Sequence, residues 1–198
     1  MRGVSPDVST LTFANCTLQD NVATDDSGVF DSIGATVVAT NTIFSDNESG
    51  GSGGVGFLDG PSSFNNCRFE RNRADNDGGA IISFDDLSIE NCHFQGNEAG
   101  NVGGAISTEG VGRFEDCLFE GNSASVGGAM YSRKETIISG PSTQFKCNKA
   151  SGLGGAIYHL RGALSISDAE IIGNTAGGLG GGLFLAEYTF SALDSCRL

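Results

Sequence analysis

Seven copies of a 25- or 26-residue unit, a glycine pair in nearly every copy and the absence of helical periodicity predict an all-β fold. The expected architecture is a right-handed parallel β-helix, a solenoid of about seven coils with three short strands per coil. The repeat is the first observation. An apolar residue followed three positions later by Asn recurs at Leu18/Asn21, Phe44/Asn47, Phe69/Asn72, Phe94/Asn97, Phe119/Asn122, Phe145/Asn148 and Ile171/Asn174, with successive Asn spacings of 26, 25, 25, 25, 26 and 26. A few residues on stand Gly28 alone, then Gly53-Gly54, Gly78-Gly79, Gly103-Gly104, Gly127-Gly128, Gly154-Gly155 and Gly180-Gly181. Inside one unit, Leu87 to Phe94 alternates apolar and polar residues except at Glu90-Asn91, which reads as strand, corner, strand; Gly103 to Ser107 supplies a third extended piece. No unit places apolar residues at i, i+3, i+4 and i+7, and each glycine costs a helix about 1 kcal/mol, so leucine-rich and two-helix repeats are excluded. A propeller blade needs about 40–45 residues and is excluded by length.

The chain of 198 residues, 38% of them apolar, suffices for one core. We read 1–198 as a single domain: an irregular lead-in at 1–10, seven coils at 11–187 and a partial eighth at 188–198. It is expected to be part of a longer protein, because an uncapped solenoid leaves backbone unpaired at its ends. Asp and Glu number 24 against 11 Lys and Arg, a net charge of −13, so neither a nucleic acid nor an anionic membrane surface is an expected partner. No stretch of about 18 apolar residues offers a membrane span, and the first ten residues lack the apolar core of a signal peptide.

Stacking turns each column of the repeat into a ladder. The column Leu18, Phe44, Phe69, Phe94, Phe119, Phe145, Ile171 is expected to point inward and form the core. A second inward column is read as Phe13, Ala39, Phe64, Ile89, Phe114, Gly140, Ile166 and Leu193, with looser packing at Ala39 and Gly140. The Asn column (Asn21, Asn47, Asn72, Asn97, Asn122, Asn148, Asn174) is expected at an inward corner, its amides bonded to one another up the stack and to backbone groups the turn leaves open. The glycine pairs supply positive φ or close backbone approach at the next corner. Cys67, Cys92 and Cys117 share a small inward column with Cys16 and Cys196. Neighbouring Cα atoms about 4.8 Å apart are at the short end for a disulfide, so a buried thiol ladder is the favoured reading, with Cys147 facing out. Zinc is disfavoured: no Cys-x-x-Cys pair exists, and His93 and His159 fall in different columns. Two outward columns, Glu48-Arg73-Glu98-Ser123-Lys149 and Glu70-Gln95-Glu120-Lys146, are expected to set register by alternating charge.

Phe69–Asn72, Phe94–Asn97 and Phe119–Asn122, alternating with Gly78–Ile81, Gly103–Ile106 and Gly154–Ile157, resemble the FxxN and GGAI repeats of the chlamydial polymorphic outer membrane proteins over Leu11 to Leu198. The resemblance implies a right-handed β-helix at a cell surface or in the extracellular space, with adhesion as its role. The chain departs from that family in having no visible signal peptide and no C-terminal barrel.

Polysaccharide-active enzymes share this architecture, and glycoside hydrolysis requires carboxylates converging within about 5–10 Å. Asp25-Asp26, Asp75 with Asp77, and Asp85-Asp86 are the candidate groups, with Asp20 stacked on Asp46. Short loops argue against a deep cleft, so no catalytic residue is assigned. No cofactor is expected; for loose surface calcium at Asp75–Asp77, a solvated acidic turn is the better reading. The function expected is a non-catalytic surface or scaffold module that binds a protein or glycan partner or spaces adjoining domains. The alternative is a lyase, hydrolase or epimerase acting on polysaccharide.

Overall fold

The computed structural model describes residues 9–187 and 189–197, and the side chains from residue 191 onward in the last strand. The expected lead-in therefore falls outside the described residues up to residue 8, as do residues 188 and 198 of the expected eighth coil. Every described strand pairs in parallel with its counterpart one repeat away, giving one eight-stranded and three seven-stranded sheets. Four sheets mean four strands per coil, not three. In a central coil these are Leu87–Glu90, His93–Gln95, Glu98–Ala99 and Ile106–Thr108. The additional strand is only two residues long, too short for any alternation to register in sequence, and it follows directly on the Asn corner.

Register is set by what lies inward. Phe69 pairs with both Phe44 and Phe94, and the series continues through Phe119 to Phe145. All five rings are fully buried. Their centroids stand 4.9, 4.5, 4.9 and 4.5 Å apart with interplanar angles of 13°, 2°, 5° and 5°. Each buried ring contributes roughly 1.5–3 kcal/mol of transfer free energy, and slipping the register by one residue would turn the whole column to solvent. Leu18 and Ile171 close the column at its two ends. Rings of the second inward column meet it edge-on, Phe64 at 5.4 Å from Phe69 and Phe114 at 6.2 Å from Phe119.

That second column corrects the sequence reading at one place. Ile138, not Gly140, stands between Phe114 and Ile166, and it is fully buried. The corner before Phe145 is two residues longer than in its neighbours, closed by Thr143 N–H donating to Gly140 O at 2.9 Å, so counting back from the Phe lands on the turn. The predicted slack at Gly140 does not arise, because Gly140 is corner backbone with φ of 97°.

Each coil turns through left-handed residues. One corner carries Asn15, Asn41, Asn66, Asn91, Asp116 and Asp168, and another Asp20, Asp46, Arg71, Gly96, Gly121, Cys147 and Gly173, all with positive φ. Asn and Asp tolerate this region better than other residues with a side chain. At the glycine pair the two residues do different work. Gly78 has φ of 64°, while a Cβ on Gly79 would run into the carbonyl oxygen of Gly104 on the next coil.

Candidate functional site

Three internal ladders and the outer faces are the places where function can reside. The Asn ladder is continuous. Asn72 donates its backbone N–H and its Nδ2 to Asn97 Oδ1, both at 3.0 Å, and its Nδ2 also donates to Phe44 O at 3.0 Å. Asn97 repeats this toward Asn122 Oδ1 (2.9 Å from each donor) and Phe69 O (2.9 Å). The same pattern runs from Asn21 and Asn47 through Asn148 to Asn174. From Asn47 to Asn148 these side chains are buried, and each amide oxygen takes two donors while each amide nitrogen gives two. No hydrogen-bonding capacity of these amides is left for a ligand.

The Cys column is likewise inward. Cys67, Cys92 and Cys117 are buried free thiols, and Cys67 N–H donates to Cys92 Sγ at 3.3 Å. Cys92 and Cys117 donate to carbonyls two residues back, Glu90 O and Glu115 O, both at 3.2 Å. The hydrogen bond with Cys67 and burial push the Cys92 thiol far up, and burial pushes Cys117 up to about 12. Cys92 and Cys117 are therefore neutral and unreactive at physiological pH, whereas the hydrogen bond with Cys92 pulls the buried Cys67 thiol below its ordinary value. Cys147 is exposed at a corner.

Outside, charge is arranged coil against coil. Arg71 grips Asp46 with both Nε and Nη2 at 2.7 Å, and its hydrogen bonds hold the Asp46 carboxyl below the usual carboxylate range. Arg73 bridges Glu48 and Asp75, the latter at 2.6 Å, and Arg133 holds Glu109 at 2.8 Å. The columns Glu48-Arg73-Glu98-Ser123-Lys149 and Glu70-Gln95-Glu120-Lys146 are in register.

Several of the carboxylates singled out for catalysis are already engaged by other groups. Asp77 Oδ1 accepts from Asn101 Nδ2 at 2.8 Å and Asp75 is held by Arg73, so calcium at this turn would have to displace both partners. Asp26 Oδ1 accepts from Ser52 N–H at 2.6 Å, and Asp85 Oδ1 from Asp86 N–H at 2.7 Å. Among the described residues no group of three or more His, Cys, Asp or Glu is placed to hold a metal ion.

Two surface features went unread in the sequence. Tyr131, Tyr158 and Phe184 form a half-buried outward stack, with centroids 5.5 and 5.2 Å apart. The signal was present: each directly follows the inward residue after its glycine pair, Met130, Ile157 and Leu183. Their faces cover one another, so the stack presents ring edges rather than a flat platform. The second feature is a shallow trough of about 390 Å³ on the outside of the eight-stranded sheet. Thr36, Pro61, Ser63 and Ser88 line it, with Asp86 and Arg113 at its sides. Small residues on adjacent strands leave the hollow, a pattern that cannot be recognised until the register is known.

A family model described as the right-handed beta helix region matches residues 4–140. Searches of curated proteins and of solved structures returned no match. With a repeat-wide parallel register, four sheets wound around one core and a family match over more than half its length, the chain belongs to the right-handed β-helix family.

Proposed function

We propose that this protein is a non-catalytic β-helical module that presents long, regular acidic faces to a protein or glycan partner at a cell surface, or spaces adjoining domains of a longer chain. One observation carries the reading: many of the carboxylates on the outer faces are spent on bonds within and between coils. Asp46, Glu48, Asp75 and Glu109 are each held by an arginine, and Asp26 and Asp77 by N–H donors of the next coil. A general acid or base must exchange its proton with substrate, and Asp46, held below the usual carboxylate range by Arg71, does this poorly. The likeness of the FxxN and GGAI units to the chlamydial polymorphic outer membrane protein repeats supports a surface location and an adhesive role. The net charge of −13 favours partners that are neutral or basic.

A second reading, a polysaccharide-active enzyme, draws on the trough, where the exposed Asp86 stands near the exposed Arg113. A carboxylate and a cation lining one hollow are the minimum for abstracting a proton next to a uronate carboxyl. Incubation with polyuronates and neutral glycans separates the two. Retention on a glycan or a surface-protein extract with no new chain ends supports the module. New unsaturated or reducing ends, lost in Asp86→Asn, would overturn it in favour of the enzyme.

A further inference from the structure

The chain contains two Asn-x-Ser/Thr triplets, Asn15-Cys16-Thr17 and Asn47-Glu48-Ser49, and the fold treats them oppositely. Such a triplet is the acceptor for N-linked glycan when it lies on the surface of a secreted protein. Asn47 lies within the internal ladder: 1% exposed, its Nδ2 donating to Leu18 O at 3.0 Å and to Asn72 Oδ1 at 2.9 Å. Its hydroxyl partner Ser49 is fully buried, with Oγ within 3.2 Å of Asp25 O and 3.1 Å of Ser52 O. A glycan on Asn47 would remove a ladder donor and has no room between coils, so a folded chain carries this amide unmodified.

Asn15 is the reverse. It sits at a left-handed corner with φ of 54°, and both it and Thr17 are exposed. Its Oδ1 accepts from Asn41 Nδ2 at 3.2 Å, while its own Nδ2 makes no hydrogen bond among the described residues. The nitrogen that would be substituted is thus the free one, and the bond to Asn41 survives substitution. Exposure here is a property of the column and not of the first coil, since Asn41, Asn66 and Asn91 at the equivalent corner are exposed too. Those three lack the hydroxyl: the residues two positions on are Ile43, Arg68 and His93. Only the first coil combines an outward Asn with a Thr on the following strand, whose column runs Thr17, Ile43, Arg68, His93.

We propose that Asn15 is an N-glycosylation site and that Asn47, despite its matching triplet, is not. The proposal rests on the extracellular reading above, because the transferase works in the secretory lumen. The donor is an oligosaccharide carried on a lipid pyrophosphate. Asn15 Nδ2 bonds to the anomeric carbon, the bond from that carbon to the phosphate oxygen breaks, the lipid pyrophosphate leaves with the electron pair, and one amide proton passes to the transferase's base. The glycan would stand at one corner of the first coil and leave the trough and the acidic columns of the later coils uncovered.

The test translates the full chain, behind a cleavable leader, into lumenal microsomes, with protection from added protease to prove entry. The expected result is a single glycosidase-sensitive step in mass, lost in Asn15→Gln and in Thr17→Ala and kept in Ser49→Ala. Enzymatic release should convert Asn15, and not Asn47, to Asp. A protease-protected chain without glycan, or glycan mapped to Asn47 in folded protein, overturns the proposal. Expression of the same chain in cells tests the location separately: glycosylated protein that never reaches the medium contradicts the surface reading and leaves the site standing, whereas secreted protein without glycan does the opposite.

Discussion

Replacing Asn97 by Ala removes the central rung of the amide ladder, and the structure sets the cost. Asn97 is fully buried; its Oδ1 accepts from Asn72 N–H and Asn72 Nδ2, and its Nδ2 donates to Phe69 O and Asn122 Oδ1. Truncation leaves two buried donors without partners, the Asn72 backbone N–H and one N–H of the Asn72 amide, while Phe69 O lies inside the paired strand Arg68–Glu70. Asn122 Oδ1 keeps the Asn97 backbone donor and is spared. At about 1–3 kcal/mol for each orphaned group, the loss is about 2–6 kcal/mol, against a total of about 5–15 for an ordinary domain. Urea unfolding followed by far-UV circular dichroism measures it. Asn174→Ala should cost less, because that side chain is half-buried at the end of the ladder. A loss below about 1 kcal/mol for Asn97→Ala, or equal losses at both positions, would refute the idea that the amides hold the coils together.

A thiol reagent applied to native protein should label Cys147 rapidly and spare Cys67, Cys92 and Cys117 until denaturant is added, since these are buried and Cys117 titrates only near 12; fast labelling of the three would contradict their placement. His159 is fully buried, with Nδ1 2.8 Å from Ser132 Oγ and Nε2 3.3 Å from Gly162 O, and burial depresses its pKa below the ordinary 6.5. The unfolded chain therefore binds this proton more readily, so the stabilisation is complete above about pH 6.5 and is lost as pH falls from there toward the depressed folded value. His159→Gln should flatten that part of the stability profile, and an unchanged slope would contradict the account. Ser27 occupies the left-handed glycine position with φ of 63°, and its buried hydroxyl has no partner among the described residues. Ser27→Gly should therefore stabilise by about 1 kcal/mol, read as a higher thermal midpoint, with a lowered midpoint counting against it.

The solenoid was legible because its periodicity is carried by residues that cannot be moved independently. A Phe or an Asn displaced in one coil would break the stack in two, so spacing varies by one residue and the parallel architecture follows. What escaped the sequence is what the column logic does not constrain. Glu98–Ala99 forms a strand of two residues, below the length at which alternation has meaning. Gly140 stood at the expected offset from Phe145, yet the corner there had absorbed two more residues, so Ile138 is the one turned inward. The outward stack of Tyr131, Tyr158 and Phe184 was in plain register with the glycine pairs, but the same column first runs Asp31, Phe57, Ile82 and Ser107, so the aromatic type is interrupted. The carboxylate candidates were separable only in three dimensions, because Arg73, two residues before Asp75 on the same coil, is turned so that it meets both Asp75 and Glu48 of the coil before.

The account stands on amides linked from coil to coil, and side-chain amide hydrogen exchange interrogates them one by one. The Nδ2 protons of Asn47, Asn72, Asn97, Asn122 and Asn148 should exchange only through opening of the coils, far more slowly than those of the exposed Asn41, Asn66 and Asn91, whose column lies on the outside of the same turns. Exchange at matching rates in the two sets would mean that the inner column is not stacked, and with it the solenoid described above would fall.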